Sequence, residues 1–184
     1  MAVTQGKVRI IGGHWRSRLI TFPDRSDLRP TPDRIRETVF NWLGQDLSGL
    51  SCLDLFAGSG ALGFEAASRG AKHVVMVDAD ARIYSALHEN KQKLQATQVE
   101  VVMMNALNFM NSDRHLYDVI FLDPPYRLEL LPELLPLVPS HLAKNGLVYA
   151  ETKGIWTPDK PWHVKRSAKA GVVYYQLLEL ELNG

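Results

Sequence analysis

Cysteine is almost missing from this chain: Cys52 is the only one in 184 residues. A disulfide scaffold and a cysteine-based metal site are therefore excluded. Cys52 lies within an apolar run and reads as core, not as a nucleophile. No apolar stretch reaches the ~18 residues of a membrane span. The N-terminus lacks the basic-then-apolar order of a secretion signal, so a cytoplasmic protein without membrane contact is expected. Net charge is also nearly absent, at +1, and by itself argues for no partner. His73, His88, His115 and His141 show no metal-ligand spacing, and no metal is expected. Internal repeats and low-complexity segments are lacking. The length suits a single domain with a small addition, and a monomer is expected.

What is present is unevenly placed. Between Lys7 and Arg36 stand eight basic residues against Asp24, Asp27 and Asp33. Such clustering rewards phosphates with bidentate contacts and counterion release. Arg9, Arg16, Arg18, Arg29, Arg34 and Arg36 are the candidate nucleic-acid contacts. Gly12-Gly13 reads as a turn between short strands over residues 8–11 and 18–22. Beside it, Trp15 either stacks on an unpaired base or caps the hairpin. Thr31-Pro32-Asp33 opens a helix with Thr31 as N-cap. Ile35, Val39, Trp42 and Leu43 line one face of that helix at helical spacing. Arg34 and Arg36 leave that face, and Arg29 and Thr31 are brought toward the ligand cleft. Residues 1–32 form a basic arm and residues 33–184 the main domain.

Two strings about seventy residues apart carry the chemistry, and each follows an apolar run. The first is Asp54-Leu-Phe-Ala-Gly-Ser-Gly60. Its glycines permit close backbone approach to a ligand, and Phe56, Ala57, Gly58 and Gly60 are the candidate loop contacts. Gly58-Ser-Gly-Ala-Leu-Gly63 with Asp78 also satisfies a dinucleotide fingerprint, so a nicotinamide-dependent oxidoreductase is one rival reading. Asp54 argues against it. A carboxylate there repels pyrophosphate but pairs with the ammonium of a methionine moiety, as in S-adenosylmethionine.

The second string is Asp123-Pro-Pro-Tyr126. Two prolines stiffen the backbone and remove two donors. Asp123 and the Pro124 carbonyl are then placed to accept both N–H groups of an exocyclic base amine, and Tyr126 to stack on that base. Together the strings point to an amino-methyltransferase acting on nucleic acid. Either guanine N2 or adenine N6 fits this chemistry, so a DNA adenine methyltransferase is the nearest rival. A non-catalytic ribosome-assembly factor is a third reading.

The rest alternates strand and helix. Strands are expected at 50–55, 74–77, 99–103, 117–122 and 147–151. Helices are expected at 61–69 and 81–94, and a proline-bounded one begins at 130–136. Segments 164–168 and 172–182 flank a turn at Lys169-Ala-Gly171. Repeated βα units closing on a hairpin imply an α/β fold. Its sheet is a doubly wound, Rossmann-like one, mostly parallel with an antiparallel C-terminal hairpin. Asp78 closes the second of these strands and can accept from ribose hydroxyls, with Asp80 the less favoured substitute. Asn105 and Ala106 follow the third strand, where an amide can pair with adenine.

These strings resemble the bacterial 16S rRNA guanine-N2-methyltransferases that modify the guanine called 966. The specific ones are Arg9-Ile-Ile-Gly-Gly-His-Trp-Arg16 with Arg18, and Leu28-Arg-Pro-Thr-Pro-Asp-Arg-Ile-Arg-Glu37. Phe56 stands where many methyltransferases have the first loop glycine, which weakens only a generic match. The resemblance covers nearly the whole chain. It implies a class I methyltransferase fold, S-adenosylmethionine as donor with S-adenosylhomocysteine as product, and 16S rRNA within a small-subunit assembly particle as substrate. It also implies that Asp123, Pro124 and Tyr126 line the target-base pocket.

Overall fold

The computed structural model describes residues 4–125 and 129–181. A hairpin of β1 (Gln5–Arg9) and β2 (Leu19–Pro23) precedes helix α1 (Asp33–Leu43). Then come β3 (Ser51–Asp54), α2 (Ala61–Ser68), β4 (His73–Asp78), α3 (Ala81–Leu94), β5 (Val99–Met103) and α4 (Ala106–Ser112). After β6 (Tyr117–Leu122) follow α5 (Leu131–Leu134), a 3-10 helix (Leu135–His141), β7 (Leu142–Thr152), β8 (Trp162–Ala170) and β9 (Val173–Leu180).

Seven strands form one sheet in the order β5-β4-β3-β6-β7-β9-β8. The first five are parallel, and β9 and β8 add antiparallel. The doubly wound sheet with its antiparallel C-terminal edge is thus present as expected. Side-chain alternation along the strands explains why both faces are covered. Cys52, Val74, Met76, Val119, Phe121 and Tyr149 face a core shared with α1, α2 and α3. Leu53, Val75, Val77, Ile120, Leu122 and Val148 face the opposite core, which α4, α5 and the 3-10 helix close. Cys52 is buried, and burial pushes its thiol up to about 12, as befits a core residue. Chain order reverses between β3 and β6, so a crevice opens above their carboxyl ends.

The hairpin is docked, not free. Val8, Ile10, Trp15, Ile20 and Phe22 belong to the same core as the first sheet face. Trp15 is therefore a packing residue, and its backbone N–H donates to Ser68 Oγ at 2.9 Å. Gly13 has φ +77°, and a Cβ there would lie 2.0 Å from the Ser68 carbonyl oxygen. Only glycine lets the turn close onto the end of α2.

Helix α4 and the early start of β7 at Leu142 are not expected from the sequence, and two further details differ near the cleft. Pro32, not Thr31, is the cap residue of α1, and no side chain caps it. The Thr31 side chain is buried toward the cleft, while its carbonyl accepts from Arg36 Nε at 3.0 Å. The proline-bounded helix is only four residues long before it tightens into the 3-10 segment. Pro139 inside that segment has no N–H for an α-helical ladder.

Candidate active site

The carboxyl ends of five parallel strands converge on one cleft of about 890 Å³. Asp54 ends β3, Asp78 ends β4, Asn105 follows β5, Asp123 follows β6, and Glu151 lies near the end of β7. Phe56, Ala57 and Gly58 line the same cleft, as do Ala106, Pro124, Arg29 and Thr31. Gly60 does not line it directly. Its φ of +83° turns the chain from the loop into α2, and a Cβ would strike Phe64 and Leu87. Tyr126, expected to stack on the base, lies outside the described residues.

Asp54 is buried, with one oxygen accepting from the Gly63 N–H of α2 at 2.9 Å. Burial lifts its pKa to about 7, the Gly63 bond opposes the rise, and the charge of Asp78 adds to it. Among the described residues no cation pairs with it, and a carboxylate so placed fits an ammonium group. It also occupies the positive end of α2, where a dinucleotide pyrophosphate would need to sit. Asp78 receives the Gly58 and Asp80 N–H groups at 3.1 and 3.0 Å, which orients both of its oxygens at the strand end. Asp80 is the N-cap of α3 and pairs with Arg25. That division leaves Asp78 at the strand end with both oxygens oriented to accept from a diol. Asn105 caps α4 through its Oδ1, which accepts from Leu107 and Asn108 N–H. Its amide nitrogen remains the donor available to a base edge. A carboxylate suited to an ammonium, an acceptor suited to a diol and an amide donor suited to a base edge thus stand in the order of a methionine–ribose–adenine molecule, and the residues fit S-adenosylmethionine.

Asp123 is half-buried beside the cleft, and Pro124 is buried. Burial raises the Asp123 pKa well above the carboxylate range, and the charges of Glu151 and Asp54 raise it further. Among the described residues no group of three or more His, Cys, Asp or Glu is placed to hold a metal ion. None of their helices is long and apolar enough to cross a membrane.

Sequence reasoning missed Glu151, Arg25 and Leu28. Glu151 ends an expected strand, so the strand-end rule that picked out Asp78 could have found it. Arg25 bridges Asp27 at 2.7 Å and also Asp80, holding the second half of the arm as a cleft wall. Leu28 lies over the Gly58 turn, and a Cβ on that glycine would come within 3.0 Å of it.

The candidate RNA arginines divide into four groups. Arg29 lines the cleft. Arg9 and Arg34 are exposed near the start of α1, and Arg9 pairs with Asp33 at 3.3 Å. Arg16 and Arg18 are exposed at the far ends of α2 and α3, where Arg18 Nη2 donates to the Lys93 carbonyl at 3.1 Å. The length of α3 separates that position from the cleft, roughly 21 Å at 1.5 Å per residue. Arg36 corrects the expectation. Its side chain is 1% exposed and is held by Glu65, Asp33 and the carbonyls of Arg9 and Thr31. It faces inward because Glu65 of α2 supplies a buried counter-charge, so it is unavailable to an RNA backbone.

The family described as Conserved hypothetical protein 95 matches residues 8–179. Ribosomal RNA small subunit methyltransferase D of Escherichia coli is 41% identical over 97% of this chain and 93% of its own. The protein of the same name from Haemophilus influenzae is 39% identical over 95% of each. The solved Escherichia coli protein yhhF is 40% identical and superposes with a TM-score of 0.86, covering 96% of this chain and 99% of its own. A structure solved in complex with S-adenosylhomocysteine, 15% identical, shares the fold with a TM-score of 0.74 over 97% of this chain and 56% of its own. The motifs, the strand-end cleft and these matches agree: the chain belongs to the family of the small-subunit ribosomal RNA methyltransferase D proteins.

Proposed function

We propose that the protein transfers a methyl group from S-adenosylmethionine to the exocyclic N2 of one guanine in 16S rRNA, the guanine called 966, within a small-subunit assembly particle. One observation carries this reading: Asp54 and Asp123 open on the same cleft, one suited to an ammonium and the other to a base amine. S-adenosylmethionine supplies an activated methyl on a sulfonium and leaves as the thioether S-adenosylhomocysteine. Asp54 holds the methionine ammonium, Asp78 the ribose hydroxyls, and Asn105 with Ala106 the adenine.

An aryl amine is a weak nucleophile because its lone pair is delocalised into the ring. Asp123 and the Pro124 carbonyl each accept one N2–H, which favours the pyramidal nitrogen and frees the lone pair. As the N–C bond forms and the C–S bond breaks, the electron pair passes to sulfur. N2 then sheds one proton, and Asp123 receives it before solvent does. A sulfonium nearby favours the ionised form of Asp123, offsetting the burial that raises its pKa in the empty cleft. Arg29, Arg9 and Arg34 contact RNA near the target, and Arg16 and Arg18 reach backbone about one helix length away.

Nucleoside mass spectrometry of rRNA and DNA from a deletion strain tests this. Loss of N2-methylguanosine from 16S rRNA is the expected result. Loss of N6-methyladenine with N2-methylguanosine intact refutes it.

A further inference from the structure

We infer that Glu151 is the residue that admits guanine and turns adenine away, by accepting the base's N1–H beside the amine held at Asp123. The inference rests on the guanine-N2 reading and adds a specificity residue to it.

The placement follows from the sheet. In the β6–β7 register Phe121 pairs with Tyr149 and Leu122 with Ala150. Asp123 and Glu151 are next in each chain, so they share a face on adjacent strands, which lie about 4.8 Å apart. Both line the cleft. Glu151 is only 7% exposed, and the Tyr149 hydroxyl donates to its Oε2 at 2.8 Å. The carboxylate is thus fixed at the cleft wall and does not swing in solvent.

Base chemistry does the rest. Guanine carries N1–H next to the N2 amine, two donors pointing the same way. Two carboxylates on adjacent strands can take one donor each. Adenine and cytosine instead set a ring-nitrogen lone pair beside their exocyclic amine. Against Glu151 that lone pair meets an acceptor, an unpaired polar contact in a buried site, which is costly. A site built around a hydrogen bond rejects the analogue that lacks it far more strongly than an apolar pocket does.

The test uses rRNA, assembled into the small-subunit particle, with either guanine or 2-aminopurine at the target. 2-Aminopurine keeps the N2 amine but has a bare N1. Wild-type protein should favour guanine by about 100-fold or more. In Glu151→Gln the amide can donate to a bare N1, so the ratio should narrow to within about tenfold. The fluorescence of 2-aminopurine should also report tighter binding of that base by the variant than by wild type. Tyr149→Phe keeps the carboxylate but removes the bond that holds it, so it should narrow the guanine preference less than Glu151→Gln does. S-adenosylhomocysteine binding and the melting temperature of Glu151→Gln establish that the variant is folded. An unchanged ratio together with unchanged fluorescence binding, or an equal loss on both bases, overturns the inference while leaving N2 methylation standing. Wild-type protein that yields N6-methyladenosine, or no N2-methylguanosine, overturns the guanine reading and this inference with it.

Discussion

Glu65→Gln tests how the arm is held. Glu65 is fully buried on α2. Its Oε2 accepts from the Ile11 N–H at 2.9 Å and Arg36 Nη1 at 3.3 Å. Its Oε1 accepts from the Gly12 N–H at 2.8 Å and Arg69 Nε at 2.9 Å. Glutamine keeps the shape but has one oxygen, so its NH2 must face a backbone N–H and a guanidinium. Two bonds become donor–donor contacts, and two buried guanidiniums lose their shared carboxylate. Hydrogen bonds to charged groups contribute about 1.5–3 kcal/mol each, and breaking a buried ion pair costs about 3–5 kcal/mol. Taking about 3–5 kcal/mol as the total and 2–4 °C per kcal/mol for a chain of this size, the melting temperature should fall by roughly 6–20 °C. Urea unfolding gives the free energy directly, and amide exchange at Ile11 and Gly12 should quicken more than in the β3–β6 core. A loss below about 1 kcal/mol with those two amides still protected would refute the role given to this carboxylate.

The remaining predictions concern the cleft and the arm. Asp54 should be largely protonated in the empty cleft below its pKa of about 7 and ionised beside a bound ammonium. S-adenosylhomocysteine affinity should therefore rise with pH up to about 7 and then level off. Because the folded pKa is raised above that of an unfolded aspartate, Asp54 favours the folded state at low pH, and this contribution is lost as pH rises toward 7. Calorimetry in buffers of different ionisation enthalpy should find proton release in wild type and much less in Asp54→Asn; equal release would assign the proton elsewhere. Asp123→Ala should abolish turnover and leave S-adenosylhomocysteine binding nearly unchanged, and wild-type rates in that variant would remove Asp123 from the chemistry. Arg16→Ala with Arg18→Ala should weaken particle binding and flatten the slope of log affinity against log salt by roughly 1.4–1.8, at 0.7–0.9 per phosphate contact. An unchanged slope in filter binding would make both arginines solvated ends of α2 and α3.

Strand ends were legible in the sequence where an acidic residue follows an apolar run, as Asp78 and Asp123 do. Asp54 stands inside the run expected at 50–55, and β3 ends on it as a buried carboxylate. Arg36 did not, since its partner Glu65 is 29 residues away and sits on a helix whose eight residues are all buried. No local pattern reports a counter-charge supplied by tertiary packing. Helix α4 is short, and its start is set by the Asn105 side chain. The sequence points the same side chain toward adenine, and the cap uses its oxygen only. Trp15 is a similar case: whether an exposed-looking turn packs inward depends on the groove at the end of α2, which the hairpin sequence cannot show.

The position of Asp54 also bears on what the protein must ignore. A pocket shaped for adenosine works among nucleotides such as ATP that carry the same nucleoside on a chain of phosphates. Asp54 takes up the dipole of α2 that would otherwise attract such a chain, and Asp78 and Asp123 line the same cleft. On the proposed reading, a triphosphate entering there meets a helix terminus already engaged by Asp54, where a zwitterionic methionine tail meets a partner. If Asp54 holds that tail, the same buried carboxylate also disfavours ATP, and more so as pH rises through about 7.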